Sequence, residues 1–288
     1  MSTPGRVCAL GGGHGLATSL RAIRTYAEEI TAVVSIADDG GSSGRIRAAA
    51  GGPAPGDLRR CFEALGGSSM LTAEMGWRFK AGELEGHALG NLLIAGLAAA
   101  SGDLVAALDE VGRLVGSVGR VLPATSRSVD LVADTGHWEV EGQVSVHRAV
   151  GIVELRLSPP DVPSPPEVVA AIEAADQIVL GPGSLYTSVL ASVLAPDVGE
   201  ALGRRNGPLV LVANLSADVE GPWALEEQIR ILADHGVLPD MVLVDDSRGE
   251  SSSGPVALRR AVVTVEDGGS HDPLLLGKAL VGCTAANM

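Results

Sequence analysis

The sequence predicts a Rossmann-like α/β fold of three layers, with a mostly parallel sheet and a small antiparallel β insertion at about residues 128–157, all in one domain spanning residues 1–288. Short, almost wholly apolar runs alternate with segments at helical spacing, which is the order of βα units feeding a parallel sheet. The core must be built from Ala, Val, Leu and Ile, because 46% of the chain is hydrophobic while it holds only 3 Trp, 2 Tyr and 2 Phe. Of the 38 glycines, three clusters, at residues 11–15, 40–44 and 181–183, fall where predicted strands end. In open α/β sheets those carboxyl ends are where ligands sit.

Residues 6–10 read as the first strand and 11–15 as a glycine loop, after which Leu16, Leu20, Ile23 and Ala27 recur at helical spacing. Residues 30–37 form a second strand, apolar on both faces. Gly56-Asp57 offers an N-cap to a helix beginning near Asp57, and residues 89–100 read as an almost wholly apolar helix. Alternation at Val140, Val144, Val146, Ile152, Val153 and Leu155, broken by Gly142 and Gly151, predicts antiparallel hairpins. Beyond a proline-rich linker at 158–166 the βα order resumes: helix 167–175, strand 177–180, loop 181–184, helix 185–194, strand 209–213 and helix 225–235. Strand 241–244, a polar loop at 245–255, strand 261–265 and helix 273–282 complete the chain.

With Lys+Arg 21 against Asp+Glu 35, the net charge of −14 opposes phosphate polymers, so nucleic acid is excluded as the main partner. Nothing approaches the roughly 20 apolar residues of a membrane span, and no signal segment is evident, which predicts a cytoplasmic protein. Cys8, Cys61 and Cys283 share no C-x-x-C pair and read as reduced, mostly buried thiols. The two lysines, Lys80 and Lys278, exclude a Walker A loop, since Lys278 is followed by Ala279. Catalytic motifs are lacking: His137, His147, His235 and His271 are scattered without ligand spacing, and no catalytic residue is assigned. A homodimer is the expected assembly, closed two-fold pairs being the commonest.

Four constellations carry chemistry. Gly11, Gly12, Gly13, His14 and Gly15 lie between a strand and a helix, where backbone N–H groups receive an anion, although a merely tight βα turn would use the same glycines. Asp38, Asp39, Gly40, Gly41, Ser42, Ser43 and Arg45 follow the second strand: adjacent carboxylates can hold a ribose or magnesium, and Arg45 adds a phosphate donor, the alternative being a solvated acidic turn. Gly181, Gly183, Ser184, Leu185, Tyr186 and Thr187 form a second strand-to-helix junction, with Ser184 placed to cap the helix. His87 and Asn91 stand one helical turn apart, towards a ligand or simply partly buried. Asn214 and Ser216 follow another strand end and carry little signal.

Taken together, the runs 10–16, 37–45, 55–59, 86–92 and 181–188, in this order and spacing, resemble the YvcK-type gluconeogenesis factors, of the same superfamily as the 2-phospho-L-lactate transferases. The resemblance covers about residues 6–245 and implies a Rossmann-like protein that binds UDP-sugars, UDP-N-acetylglucosamine in particular. It further implies a regulatory role linking carbon metabolism to peptidoglycan synthesis and cell shape, through an unidentified partner. Carried over, residues 11–15 would cradle the diphosphate, 38–45 would form a polar wall, Asn91 would line the site, and 183–187 would contact nucleotide or sugar. Asp38 and Asp39 match the acidic pair near the transferases' metal, so magnesium is the possible cofactor and a magnesium-dependent phosphotransferase the alternative function; an NAD(P)-binding protein is the third reading. The chain departs from the pattern at 216–223 and at Ser270-His271-Asp272, and no role is carried onto those segments.

Overall fold

The computed structural model describes residues 3–249, 256–265 and 269–283. Its first half supplies β1 (Arg6–Gly11), α1 (Gly13–Ile23), β2 (Glu29–Val34), α2 (Gly41–Ala50), α3 (Gly56–Leu65), α4 (Met70–Glu74), α5 (Leu89–Ser101), α6 (Leu104–Val115) and β3 (Arg120–Pro123). Strands β4 (Asp130–Asp134), β5 (Glu139–Glu141) and β6 (Glu154–Ser158), with helix α7 (Gln143–Arg148), make the insertion. The second half adds α8 (Pro166–Ala174), β7 (Gln177–Leu180), α9 (Pro196–Gly203), β8 (Leu209–Val212), α10 (Leu225–Asp234), β9 (Met241–Asp245), β10 (Ala257–Ala261) and α11 (Pro273–Val281).

Seven strands pair in the order β10-β9-β8-β7-β1-β2-β3, every pair parallel, while β5-β4-β6 form a separate antiparallel sheet. The chain runs outward from β1 to β3, passes through the insertion, and returns to β7 before running outward on the other side. The reversal between β1 and β7 opens a crevice at the strands' carboxyl ends. Period-two alternation sends Val7 and Ala9 to one face of the sheet, against Leu16, Leu20, Phe62 and Leu276. Cys8 and Leu10 go to the other, with Ile172, Val189 and residues of the insertion. These are the predicted three layers, with helices on both faces. Burial pushes the Cys8 thiol up to about 12 and the Cys283 thiol up to about 11, as fits inert core residues. The buried Gln177 amide accepts from Tyr26 and donates to the Leu280 and Cys283 carbonyls at 2.8 Å, fastening α11 to the sheet.

Several local expectations are corrected. Val144 and Val146 lie on α7, so the insertion is a three-stranded sheet carrying a helix. The expected helix at 185–194 is one π turn, Leu185–Val189, followed by a 3-10 turn, Leu190–Ser192. Strand β10 ends at Ala261, where the alternation placed its start; the polar loop at 245–255 lies partly outside the described residues. Helices α2, α4, α6 and α9 and strand β3 are additional to the elements read from the sequence.

Candidate functional site

The chain leaves β1 through Gly12, and α1 begins at once at Gly13, whose φ of +64° lies in the left-handed region that costs glycine nothing. At Gly15 the requirement is space: a Cβ there would stand 1.9 Å from the Pro182 carbonyl oxygen. The first turn of α1 therefore presses against the second glycine loop, and the buried Ser19 hydroxyl donates to the Gly181 carbonyl at 2.6 Å. From beyond β8, Asn214 grips the same loop with both amide atoms, accepting the Gly183 N–H at 2.9 Å and donating to the Gly183 carbonyl at 2.9 Å. Arg248 holds Asn214 in turn, donating to its carbonyl at 2.6 Å while its guanidinium stacks 3.6 Å from the Trp223 ring centre.

Two cavities open at this junction. The first, about 450 Å³, is lined by Gly12, Gly13, His14, Gly15, Thr18 and residues 182–184, and closed by residues 214–218 and 269–271. The second, about 460 Å³, is lined by Asp38, residues 40–43, Asp57, Arg59, Arg60, Arg78, Asn91 and Thr187, and by Gln143, Val144, His147 and Arg148 of the insertion. Gly13, Ser184 and Ser188 belong to both. The first turn of α1, Gly13 to Gly15, lines this crevice, with the Gly13 N–H donated to the Asp57 carboxylate; a helix N-terminus of this kind receives anions without a net positive surface.

The acidic loop divides its labour. Asp38 faces the second cavity, with Oδ1 accepting the Gly40 N–H at 2.9 Å. Asp39 turns away: its Oδ1 accepts the Val144 N–H at 3.0 Å, so it caps α7 from 105 residues away and lines neither cavity. The second carboxylate facing Asp38 is Asp57, at the start of α3. Burial pushes the Asp57 carboxyl up, opposed by the Arg60 guanidinium and reinforced by Asp38. The Asp57 carboxylate pairs with the Arg60 guanidinium and accepts the Gly13 N–H at the start of α1, rather than capping its own helix, whose N-cap position is Pro55 without a side-chain bond. Among the described residues no group of three or more His, Cys, Asp or Glu is spaced to hold a metal ion. Asp38 with Asp57 is nevertheless the kind of donor pair that suffices for magnesium when phosphate oxygens complete the shell.

Behind this wall runs a polar chain. The Arg59 Nε donates to Asn91 Oδ1 at 3.0 Å, Asn91 Nδ2 donates to the Ser42 hydroxyl at 3.1 Å, and that hydroxyl stands 3.1 Å from His87 Nδ1. His87 is therefore one step removed from the cavity. Arg45 donates to the Glu85 carbonyl at 2.9 Å, at the outer edge of the same network. On the opposite wall, Glu220, buried, accepts the Thr187 N–H at 3.2 Å and the Thr187 hydroxyl, with His147 Nδ1 at 3.8 Å. Burial pushes the Glu220 carboxyl up; it also lowers His14 and His271, the latter sitting 3.2 Å from the Ala213 carbonyl.

Of the residues singled out from sequence, the structure brings Gly12, Gly13, His14, Gly15, Asp38, Gly40, Gly41, Ser42, Ser43, Asn91, Gly183, Ser184 and Thr187 to the two cavities. Gly11, Asp39, Arg45, His87, Gly181, Leu185 and Tyr186 support them from behind and line neither. Ser184 occupies the N-cap position of the π turn but makes no capping bond. Sequence reasoning missed the roles of Asp57, Arg59 and Arg60, although two of them lie in the run 55–59, and it missed the contribution of α7 entirely. Segments 214–218 and 269–271, given no role above, form the outer wall of the first cavity.

Residues 7–272 match the 2-phospho-L-lactate transferase CofD family, and the chain belongs to it. A gluconeogenesis factor of Halalkalibacterium halodurans is 35% identical over 91% of this chain and 84% of its own length. A Mycobacterium leprae protein, named as a candidate gluconeogenesis factor, is 38% identical over 99% of this chain and 88% of its own. The crystal structure of a Bacillus halodurans member of the UPF0052 family superposes with a TM-score of 0.89 at 33% identity, covering 98% of this chain and 99% of that one.

Proposed function

We propose that this chain binds a UDP-sugar, UDP-N-acetylglucosamine in particular, as a cytoplasmic regulatory protein that couples carbon metabolism to cell-wall synthesis and cell shape. The observation that carries this reading is the pairing of two glycine loops across the β1/β7 crevice, at the N-terminus of α1. A diphosphate bound at that junction would have a cavity on each side for its two substituents. Magnesium entering with the diphosphate would take Asp38 and Asp57 as its protein ligands and supply charge neutralisation there. The relatives' designation as gluconeogenesis factors supports the link to carbon metabolism. Among the described residues no helix is long and apolar enough to cross a membrane, which is compatible with this location.

Isothermal titration with UDP-N-acetylglucosamine tests the reading. Gly13→Asp keeps a residue type that tolerates the left-handed conformation while adding a carboxylate beside the diphosphate, and is expected to weaken binding at least about tenfold. Absence of binding by the unsubstituted protein at millimolar ligand would refute it.

A further inference from the structure

We propose that the second cavity is the glycosyl subsite and that α7 of the insertion, through Gln143 and Arg148, sets which sugar is accepted. This inference rests on the UDP-sugar reading above. The two cavities share Gly13 at the start of α1, Ser184 at the end of the second glycine loop and Ser188 on the π turn. A diphosphate seated there sends its two substituents into opposite cavities.

The cavities differ in what they can recognise. The first contains no arginine; Pro182, Leu215 and Ala217 offer it apolar contact, with Ser216 and Ser270 at the edge. A planar base, with two apolar faces and a few polar edge atoms, matches that wall. The second mixes the Asp38 carboxylate, the Asn91 and Gln143 amides and the Arg78 and Arg148 guanidinium groups. A hexose carries hydroxyls in several directions, each a donor and an acceptor, and only a wall holding both kinds of group satisfies them.

Of the two cavities at this junction, the insertion touches only the second. Gln143 is positioned by its own bond, Nε2 to the Thr187 carbonyl at 3.1 Å, and α7 is held to the sheet body by Asp39. Arg148 is exposed and makes no hydrogen bond or ion pair among the described residues, so its guanidinium is available to a ligand. The diphosphate and nucleoside walls thus belong to the parallel-sheet body, while part of the sugar wall belongs to a separate sheet. Sugar selectivity can then change through α7 without disturbing the nucleotide.

The experiment compares UDP with UDP-N-acetylglucosamine by isothermal titration against the full chain. Arg148→Ala and Gln143→Ala are each expected to weaken UDP-N-acetylglucosamine about fivefold, as loss of one hydrogen bond does, and to leave UDP within about twofold. Ala217→Trp, which fills the first cavity, should weaken both ligands at least about tenfold. Arg148 is solvent-exposed, so its substitution leaves the fold intact, and circular dichroism confirms this for each variant. Equal weakening of UDP and UDP-N-acetylglucosamine by Arg148→Ala, or no weakening of either by both α7 variants, overturns this inference alone. If the unsubstituted protein binds neither ligand, both this inference and the UDP-sugar reading fall.

Discussion

The two cavities are built in different ways although they share one wall. The first is mainly a backbone structure: two glycine loops meet in van der Waals contact, Asn214 locks one of them, and the C-terminal segments cover the outside. The second is a side-chain structure, assembled from the acidic loop, α3, α5, α7 and the π turn. Backbone cavities tolerate little change in shape and much change in the surrounding side chains, because the recognising groups are N–H and C=O. Side-chain cavities behave in the opposite manner. The difference makes the first suited to an invariant nucleoside and the second to a variable group.

The contrast breaks most severely at Gly15. Gly15→Ala places a methyl group where a carbonyl oxygen of Pro182 already stands, and neither α1 nor the loop can retreat without giving up the Ser19 or Asn214 bonds. The expected cost is about 3 kcal/mol, with a fall in Tm of roughly 5–10 °C in thermal denaturation. Gly13→Ala meets open space and is charged only the left-handed strain, about 1 kcal/mol. Equal losses at the two positions would show that the loops are not in mutual contact.

The same contrast explains what could be read from the residues. The first cavity was legible at its inner face because glycines at a strand end have few other reasons to cluster, and strands such as Leu209–Val212 are recognisable by apolarity alone. Its outer wall was not, since Ser216 and Ser270 are ordinary loop residues whose meeting depends on β8 and α11 being brought to the same end of the sheet. In the second cavity, Asp38 and Asn91 announced themselves, but Gln143 and Arg148 arrive from a helix whose valines alternate as they would in a strand. Asp39 shows the converse. Its pairing with Asp38 in sequence implied a shared ion, whereas successive residues in an extended loop point in opposite directions and only one carboxylate reaches the cavity.

That division between the aspartates gives a smaller effect. Asp39→Ala removes the cap on α7 and is expected to cost about 1 kcal/mol, confined to the insertion. Hydrogen exchange followed by mass spectrometry should show the α7 amides exchanging roughly fivefold faster while α1 is unchanged. Uniform acceleration through both elements would mean that Asp39 supports the sheet body itself and that the insertion is not separately anchored.

The smallest effect concerns Glu220, which fixes Thr187 of the second cavity on the π turn. Burial raises its carboxyl above the ordinary glutamate range, with the Thr187 hydrogen bonds opposing. A folded-state pKa above the unfolded one means that the neutral carboxyl favours the fold. That contribution is complete below the unfolded glutamate pKa and is lost as pH rises through the folded value. Glu220→Gln stays neutral and keeps an oxygen to accept both Thr187 donors, so it escapes this loss. Its Tm relative to the unsubstituted protein should therefore climb as pH rises from the acid range to neutrality, the whole change remaining within about 1 kcal/mol. A relative Tm that falls with rising pH would indicate that the ionised carboxylate is the form the fold prefers, with His147 at 3.8 Å as its counter-charge, and would make the anchor of the π turn an ion pair rather than a desolvated neutral group.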